Sequence, residues 1–388
     1  MQHSIIQLIG SFQGGGAQRL ALNLAEALAA KGHRSVAVAL RHAGAFAEAD
    51  KPAGVEVRAL NASRDSRASI LRAARDLRRL LGEHNAAVVH VHGSGCIIVA
   101  ALATRAWRKR PRLVFTWHDS GSVVGGRGLK RAMTRWALRR CDALYGSSRD
   151  VADRLTAAVG GKVAAGVFVN AVPDRPLTAA FDDSAAKMLW MGRLVPVKDP
   201  ELMLRALARI RADHPSSEPP APGAPAAPLA HPGPAFECIL AGAALPHGKA
   251  FEQQCRDLHA SLGLNGSVTM PGWVDDTPGL LARCNVGVQS SRSEGLSMAL
   301  LEQMMAGLAV VATNVGDTSR AVEHERTGLL VPAGDETALA AALQRVATDA
   351  ALRRGLGAAA RERAQAEFSL SAMADRAVTA YRQAGAIF

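Results

Sequence analysis

The sequence has few cysteines and no long hydrophobic run. Only five of its 388 residues are cysteines, and no two of them are spaced as Cys-x-x-Cys. We therefore expect no disulfide framework and no structural zinc site, and we expect a reducing compartment. No run of 18 apolar residues occurs, and no basic segment follows Met1. We accordingly expect neither a membrane-spanning helix nor a signal peptide.

Aromatic residues are also scarce, at 4% of the chain, whereas 48% of the residues are hydrophobic and 21% are charged. This balance excludes a disordered chain and favours aliphatic strands covered by helices rich in alanine and leucine. At roughly 100–200 residues per domain, the length predicts two domains with separate cores.

Positive charge is concentrated in the first half. Residues 1–170 contain 26 Lys and Arg against 11 Asp and Glu, a net charge of +15, whereas residues 171–388 contain 20 against 23, a net charge of −3. Such an asymmetry of charge is informative about binding partners and not about the fold. We expect the first half to meet something anionic, such as a lipid surface, a phosphorylated carrier or nucleic acid.

Short apolar runs alternate with helical patterns along the whole chain. This alternation predicts an α/β fold of parallel strands with right-handed helical crossovers. A helical pattern occupies 70–81, for example, and an amphipathic one occupies 370–383. The predicted strands are 4–9, 35–40, 55–60, 87–91, 112–117, 167–169, 188–191, 237–240, 286–289, 310–313 and 328–331.

The domain boundary is predicted between residues 172 and 173, in a stretch with two prolines. The strand and helix pattern then restarts, and Asp199 is placed to cap a helix that begins with Pro200. A tract rich in Pro, Ala, Gly and Ser at 215–234 is interpreted as a disordered insertion.

The strongest candidate site follows the strand predicted at 286–289. We expect a helix to begin near Gly295, with Glu294 just before it and Glu302 about two turns later. Backbone amides at the start of that helix would bind an anion. These amides belong to Gly295, Leu296 and Ser297. An acid that complements the helix dipole, together with a solvated second glutamate, explains the pattern equally well.

A second candidate follows the strand predicted at 188–191. Arg193 offers a planar guanidinium and Lys198 a compact charge, both close to a helix N-terminus. Together they suggest a diphosphate site, although a surface loop with two ordinary cations remains an alternative.

A glycine run follows the first strand, at Gly14, Gly15 and Gly16. Small residues allow the backbone to approach a phosphate or a sugar closely. The run matches neither the G-x-G-x-x-G fingerprint nor a P-loop, which weakens nicotinamide and ATP interpretations. A plain tight turn is equally compatible.

Histidines lie at two predicted strand ends, where a parallel sheet faces its ligand crevice. His118 ends one strand, and a structural role is the alternative to a site role. His90 and His92 alternate on another strand, but no third ligand has suitable spacing, so we reject a metal pair.

Taken together, these motifs resemble a known family. The chain is similar to retaining family 4 glycosyltransferases of the GT-B class. The Glu-x7-Glu motif and the Gly-Arg-Leu…Lys motif are specific in combination, because their order and spacing match. The resemblance rests on 14–19, His118, 146–148, 170–172, 192–198, 271–273, 294–302 and 307–316.

The resemblance implies two Rossmann-like, doubly wound domains facing each other across a cleft. Residues 1–172 would bind the acceptor and 173–368 a nucleotide-sugar, with UDP the commonest nucleotide in the family. The terminal helix, within 369–388, would cross back to the N-terminal domain. A membrane-surface helix is its alternative. The implied reaction is sugar transfer, with retained configuration, to a glycan or lipid-linked acceptor of cell-surface polysaccharide.

The resemblance also implies individual roles. Glu302 would bind the ribose hydroxyls and Glu294 the sugar hydroxyls, while Arg193 and Lys198 would neutralise the diphosphate. The amides near Leu296 and Ser297 would assist them. His118 would line the sugar site, and Gly15 and Gly16 would contact the donor. No cofactor or metal is implied, and the sequence has no Asp-x-Asp motif.

Two features depart from the family pattern. The tract at 215–234 is an insertion that the fold does not need. The loop at 241–244 also lacks the acidic Gly-Asp-Gly-like form common in relatives, which puts its nucleotide contact in doubt.

A basic amphipathic helix is predicted within 127–140, with Leu129, Met133 and Trp136 on one side. Lys130, Arg131 and Arg135 would meet an anionic membrane surface, placing a peripheral enzyme at the inner face of the cytoplasmic membrane. A helix with a core-facing stripe and a solvated charged face is the alternative.

Two other functions compete with sugar transfer. A non-hydrolysing sugar-nucleotide epimerase could use the same fold. A basic nucleic-acid-binding protein is disfavoured, because the arginine clusters lack interleaved aromatics and no recognition motif occurs.

Overall fold

The computed structural model describes residues 3–12, 16–41, 52–63, 66–118, 128–161, 163–174, 185–212 and 236–388. The chain forms two compact units. The N-terminal unit comprises Met1–Pro173 and Glu367–Phe388, and the C-terminal unit comprises Asp174–Ala366. Gly14, Gly15, Arg127 and the tract at 215–234 lie outside the described residues.

The N-terminal unit is built on one seven-stranded sheet. Its strand order is β3-β2-β1-β4-β5-β6-β7, and every neighbouring pair is parallel. The strands are β1 (Ser4–Ile9), β2 (Arg34–Ala39), β3 (Val55–Ala59), β4 (Ala86–His92), β5 (Arg112–Trp117), β6 (Ala143–Gly146) and β7 (Gly166–Val167). All six residues of β1 are buried, as expected for a central strand covered on both faces.

Helices of the N-terminal unit connect these strands. Leu20, Leu24 and Leu28 recur every four residues on the first helix, so they lie on one buried face. The Ser66 hydroxyl caps the second helix by accepting a hydrogen bond from the Ser69 amide at 3.2 Å. The helices are α1 (Gly16–Ala30), α2 (Arg67–Glu83), α3 (Ser94–Ala103), α4 (Gly128–Leu138) and α5 (Arg149–Ala158).

The C-terminal unit contains a six-stranded parallel sheet of order β10-β9-β8-β11-β12-β13. The strands are β8 (Ala186–Met191), β9 (Phe236–Ala241), β10 (Val268–Gly272), β11 (Val286–Gln289), β12 (Ala309–Thr313) and β13 (Leu329–Val331). The helices are α6 (Pro200–Ala212), α7 (Lys249–Ser261), α8 (Thr277–Ala282), α9 (Met298–Met305), α10 (Thr318–Ala321), α11 (Glu336–Thr348) and α12 (Ala350–Phe368).

The last helix, α13 (Leu370–Gln383), packs on the N-terminal unit. Its apolar stripe, which includes Met373 and Tyr381, is buried in one cluster with Leu24 of α1. The Lys31 ammonium lies 2.8 Å from the Asp375 carboxylate at the edge of this contact. The predicted α/β fold with a returning terminal helix is therefore confirmed. None of the helices in the described part of the chain is long and apolar enough to span a bilayer.

Candidate active site

Two loops of the C-terminal unit meet at one edge of its sheet. One loop, 192–199, follows β8, and the other, 290–297, follows β11. Strands β8 and β11 are parallel neighbours, with Met188 opposite Val286. Because the carboxyl ends of parallel neighbours lie together, the two loops are adjacent where ligands bind in open α/β sheets.

Hydrogen bonds hold these two loops together. The Arg292 amide donates to the Val197 carbonyl at 2.8 Å. The Ser290 hydroxyl, which is buried, donates to the Asp199 carbonyl at 2.8 Å and accepts from the Trp190 indole N–H at 3.0 Å. Sequence reasoning missed the roles of Trp190 and Ser290.

Lys198 and Glu294, both singled out from the sequence, form an ion pair across the two loops. The Ser291 hydroxyl donates to Oε1 of the same carboxylate at 2.7 Å. The exposed fractions of the two charged side chains are 20% for Lys198 and 12% for Glu294. Such limited exposure makes each charge dependent on the other, because a partly desolvated charge is costly without a partner.

Asp199, the residue after Lys198, connects the first loop to the second. It is buried and adopts a left-handed conformation, with φ of 45°. Its Oδ1 accepts from the Leu202 amide at 3.2 Å, so the predicted cap of the helix that begins at Pro200 is present. Its Oδ2 accepts from the Arg292 guanidinium at 2.6 Å, which ties the two loops together again. The second contact, across 93 residues, carried no signal in the sequence.

The prediction that a helix begins near Gly295 is wrong, because α9 begins at Met298. The Ser297 hydroxyl caps it by accepting from the Leu300 amide. Leu296 is buried, and the Gly295 carbonyl accepts from the Asp317 amide at 3.0 Å, so these residues form a loop. Gly295 and Leu296 therefore do not supply amides of the first helical turn.

Glu302 is consequently the fifth residue of α9, and its side chain is half-buried. The small cavity beside the ion pair is lined by Lys198, Glu294, Ser297, Leu300 and Gln303, among others. Helix α9 thus contributes to the same region as the two loops.

Two glycines permit close backbone approaches around these loops. At Gly316, which has φ of +54°, a Cβ atom would lie 2.0 Å from the Glu294 carbonyl oxygen. At Gly242 a Cβ atom would lie 1.7 Å from the Gly192 carbonyl oxygen. A side chain at either position would displace a loop that carries a candidate residue. Arg193, which follows Gly192, is exposed, and no ion pair to it occurs in the described part of the chain.

The remaining candidates belong to the N-terminal unit. Gly16 is the first residue of α1. His118 follows β5 directly and is half-buried, with its Nε2 3.0 Å from Nδ1 of His92. Burial lowers the pKa of His118 to about 4, so the ring is neutral near pH 7. His90 and His92 bond to other side chains, and the described residues contain no cluster of three metal-ligating side chains.

Helix α4 carries the predicted basic surface. Lys130 and Arg131 are exposed, and Arg135 is half-buried. Leu129 is 62% exposed, whereas Met133 and Trp136 are half-buried, so the alternative of a core-facing stripe does not hold for Leu129. Leu129 lies in the first turn of the helix, before the buried positions Thr134, Ala137 and Leu138 begin.

Comparisons with known proteins agree with this architecture. Residues 14–165 match the model of the family described as Glycosyltransferase Family 4, and residues 178–363 match that of Glycosyl transferases group 1. A structure of Anabaena Alr3699/HepE in complex with UDP is similar over 98% of this chain and 99% of that one, with a TM-score of 0.75 and 20% identity. This likeness shows the GT-B fold.

Curated relatives match over shorter segments. The D-inositol 3-phosphate glycosyltransferase of Stackebrandtia nassauensis is 31% identical over 204 residues, which cover 52% of this chain and 42% of the relative. The lipopolysaccharide core biosynthesis glycosyltransferase LpsE of Rhizobium meliloti is 34% identical over 118 residues, which cover 30% of this chain and 35% of the relative. The chain thus spans less than half the length of these two relatives.

Proposed function

Because this chain belongs to the glycosyltransferases of the GT-B fold, with a family 4 segment followed by a group 1 segment, we propose that it transfers a sugar from a nucleotide-diphosphate donor to an acceptor. The observation that supports this proposal is the ion pair between Lys198 and Glu294, which lies at the carboxyl ends of the strands in the second sheet. A cation and a hydrogen-bonding carboxylate are the groups that a diphosphate and a sugar require. The UDP bound to the Anabaena relative supports UDP as the nucleotide.

Lys198 and Arg193 are assigned to the diphosphate. As the bond between the sugar and the diphosphate breaks, negative charge grows on the leaving group. Cations held in place before the reaction stabilise that charge, which is the main catalytic contribution that we assign to this chain. Exposed Arg193 can rotate toward a phosphate, whereas Lys198 must leave Glu294 to do so.

Glu302 and Glu294 are assigned to hydroxyl groups. A carboxylate accepts two hydrogen bonds from neighbouring hydroxyls, so Glu302 suits the ribose of the nucleotide. Glu294, once released from Lys198, would accept from hydroxyls of the sugar. His118 of the N-terminal unit is assigned to the sugar site, and Gly16 to a close backbone contact with the donor.

We further propose that transfer retains the anomeric configuration and needs no metal ion. The leaving phosphate would itself assist attack of the acceptor on the same face of the sugar. Product analysis by NMR, with assignment of the anomeric proton, tests the stereochemistry. An inverted product would overturn this part of the proposal.

The donor assignment is tested by binding of UDP to the full chain, measured by calorimetry. We expect Glu302→Gln to weaken UDP binding by about tenfold or more, since hydrogen bonds to a charged group are lost. Glu336→Gln, at the start of α11, is the matched control and should bind UDP as the wild type does. Equal binding by both variants would contradict the role of Glu302.

A screen of UDP-sugars then identifies the donor. The full chain is mixed with each UDP-sugar and candidate acceptors, and released UDP is measured. Acceptor-dependent UDP release supports sugar transfer. Conversion of one UDP-sugar into another without an acceptor would indicate the epimerase instead.

For the acceptor, we propose a lipid-linked or anionic glycan at the inner face of the cytoplasmic membrane, with α4 as the peripheral contact. The groove along α4 is lined by Arg131, Arg135, Trp136, Arg139 and Arg140, together with Gly128 and Ala132. No ion pair neutralises these arginines within the described part of the chain. Near an anionic membrane each basic residue contributes about 1 kcal/mol. The lipopolysaccharide role in the name of the Rhizobium meliloti relative is consistent with such an acceptor.

Vesicle sedimentation tests the membrane contact. We expect the protein to sediment with anionic vesicles at low salt and to be released as ionic strength rises. Replacing Lys130, Arg131 and Arg135 with Gln should weaken sedimentation and leave UDP binding unchanged. The control replaces three exposed arginines of α2 with Gln, namely Arg72, Arg75 and Arg79. Equal sedimentation with neutral vesicles, or none with anionic ones, would favour a soluble acceptor.

A further inference from the structure

A continuous chain of hydrogen-bonded polar side chains runs through the N-terminal unit and ends at His118. It links strands β1, β4 and β5 to the terminal helix α13. Five members are buried, and His118 at its end is half-buried. From one end of this hydrogen-bonded chain to the other, the members are Thr116, His90, Tyr381, Gln7, His92 and His118.

Short distances connect each member to the next. His90 lies 2.7 Å from the Thr116 hydroxyl through Nε2 and 2.8 Å from the Tyr381 hydroxyl through Nδ1. The Gln7 amide nitrogen donates to the Tyr381 hydroxyl at 3.3 Å, and the Gln7 amide oxygen lies 2.8 Å from Nε2 of His92. The final link joins Nδ1 of His92 to Nε2 of His118 at 3.0 Å.

The Gln7 amide gives this chain a direction. Its oxygen can only accept, so Nε2 of His92 must carry a proton. Burial lowers the pKa of His92 well below its ordinary value, so the ring is neutral and its Nδ1 is an acceptor. Nε2 of His118 must therefore donate to it. Since His118 is neutral as well, its Nδ1 is left without a proton.

The surroundings make a purely packing role a poor explanation. The cluster that contains Tyr381 is otherwise built of hydrophobic residues, for example Ile5, Val88 and Val114, which offer the polar side chains no hydrogen-bond partner. Buried polar side chains in such a core are costly unless every member is satisfied. These hydrogen bonds fix the orientation of the His118 ring, which is partly exposed at the carboxyl end of β5.

We propose that Gln7 and His92 are positioning residues that hold His118 with its proton on Nε2, so that Nδ1 accepts a hydrogen bond from a hydroxyl of the bound sugar. The proposal rests on the proposed function, in which His118 lines the sugar site. Tyr381 completes the arrangement, because its hydroxyl accepts from Gln7 and thereby keeps the amide oxygen toward His92. Docking of α13 is thus coupled to the chemistry of His118.

Nitrogen-15 NMR of histidine side chains tests the tautomer in the full chain without any ligand. In the wild type, His118 should show a protonated Nε2 and an unprotonated Nδ1. His92→Leu removes the acceptor, so a mixture of tautomers is expected. His92→Gln should restore the wild-type pattern, because its amide can donate to Gln7 and accept from His118. A protonated Nδ1 in the wild type, or an unchanged tautomer in His92→Leu, would overturn the proposal.

Kinetics with UDP-glucose test the consequence, with released UDP as the signal. We expect His92→Leu to lower kcat by about tenfold, a loss of the size seen when a hydrogen-bonding partner that orients a metal-bound histidine is removed. His92→Gln should recover most of this loss. UDP affinity should not change, since the residues assigned to the ribose and the diphosphate lie in the C-terminal unit. The control is Val91→Ala, because Val91 points to the opposite face of β4 and belongs to a different cluster.

The outcomes separate the two proposals. If the wild type neither binds UDP nor releases it from UDP-glucose, the proposed function fails, while NMR still decides the tautomer. If NMR gives the expected tautomers but His92→Leu turns over at the wild-type rate, the positioning role fails and sugar transfer stands. Should His92→Leu not fold, Tyr381→Phe removes only a hydroxyl, and the expected result is again a mixed His118 tautomer. An unchanged tautomer in Tyr381→Phe would contradict the role of Gln7.

Discussion

The ammonium group of Lys198 is paired with the carboxylate of Glu294, 96 residues later in the sequence. The resemblance assigns the first to the diphosphate and the second to the sugar of a donor. The ion pair leaves neither partly buried charge uncompensated. Under these assignments, a bound donor would replace the ion pair with one interaction to each of the two side chains.

Replacing Lys198 with Ala tests this arrangement most directly. Turnover should fall by about 10²–10³-fold, as when one preorganised charge donor is lost. UDP release under saturating donor is the measurement. Lys249→Ala is the matched control in the same unit, because Lys249 also pairs with a glutamate, Glu252, but is 63% exposed. A rate for Lys198→Ala within twofold of the wild type would mean that the diphosphate site is misassigned.

Gly316 provides a test of the backbone beneath Glu294. In Gly316→Ala the new Cβ would meet the Glu294 carbonyl oxygen and displace the loop that leads into α9, the helix that carries Glu302. We therefore expect weaker UDP binding and a lower free energy of unfolding. Gly334→Ala is the control, since its φ of +75° is equally left-handed but no atom lies within 4 Å of the added Cβ. The left-handed conformation alone costs about 1–2 kcal/mol.

Both variants are examined by calorimetry with UDP and by chemical denaturation. The comparison separates the strain of a left-handed alanine from the collision between the Cβ at position 316 and the Glu294 carbonyl oxygen. Both should lose stability, and only Gly316→Ala should lose UDP affinity. Equal UDP affinity in the two variants would show that the loop carrying Glu294 does not depend on Gly316.

The sequence predicted most strands of both sheets, because buried parallel strands are continuous apolar runs. It did not reveal β6 and β10. β6 has only four residues, and β10 ends in Met-Pro-Gly, a pattern that argues against a strand. β10 tolerates its proline because it lies at the edge of the sheet, a position that only the strand order discloses.

Lys198 and Glu294 could be identified as candidates from the sequence, because each lies in a short motif that directly follows a predicted strand. The site was not predictable where distant segments combine. The bond between Trp190 and Ser290 spans 100 residues, and the bond between Gln7 and Tyr381 spans 374. The start of α9 was misplaced because Gly295 looked like a helix boundary, whereas Ser297 is the residue that caps the helix.

Metal independence is a prediction that needs its own measurement. Positive charge from Lys198 and Arg193 is expected to do the work that a divalent cation does elsewhere. Sugar transfer should therefore persist in excess EDTA at close to the untreated rate, with the same assay for released UDP. Complete loss of activity in EDTA, with recovery on adding Mg²⁺ or Mn²⁺, would contradict it.

The buried histidines make stability depend on pH. Burial lowers the pKa of His90 to about 3, whereas in the unfolded chain its pKa is near 6.5. Between these values the unfolded state binds more protons, so the free energy of unfolding must fall as pH falls. For His90 the loss of unfolding free energy between pH 7.5 and pH 5 is about 2 kcal/mol.

Chemical denaturation at the two pH values measures this loss, with amide exchange in β4 reporting on the N-terminal unit. His90→Gln should show a smaller loss by about this amount, whereas Val91→Ala should be less stable by the same amount at both pH values. An identical pH dependence in the wild type and His90→Gln would show that this ring does not stay neutral in the folded protein.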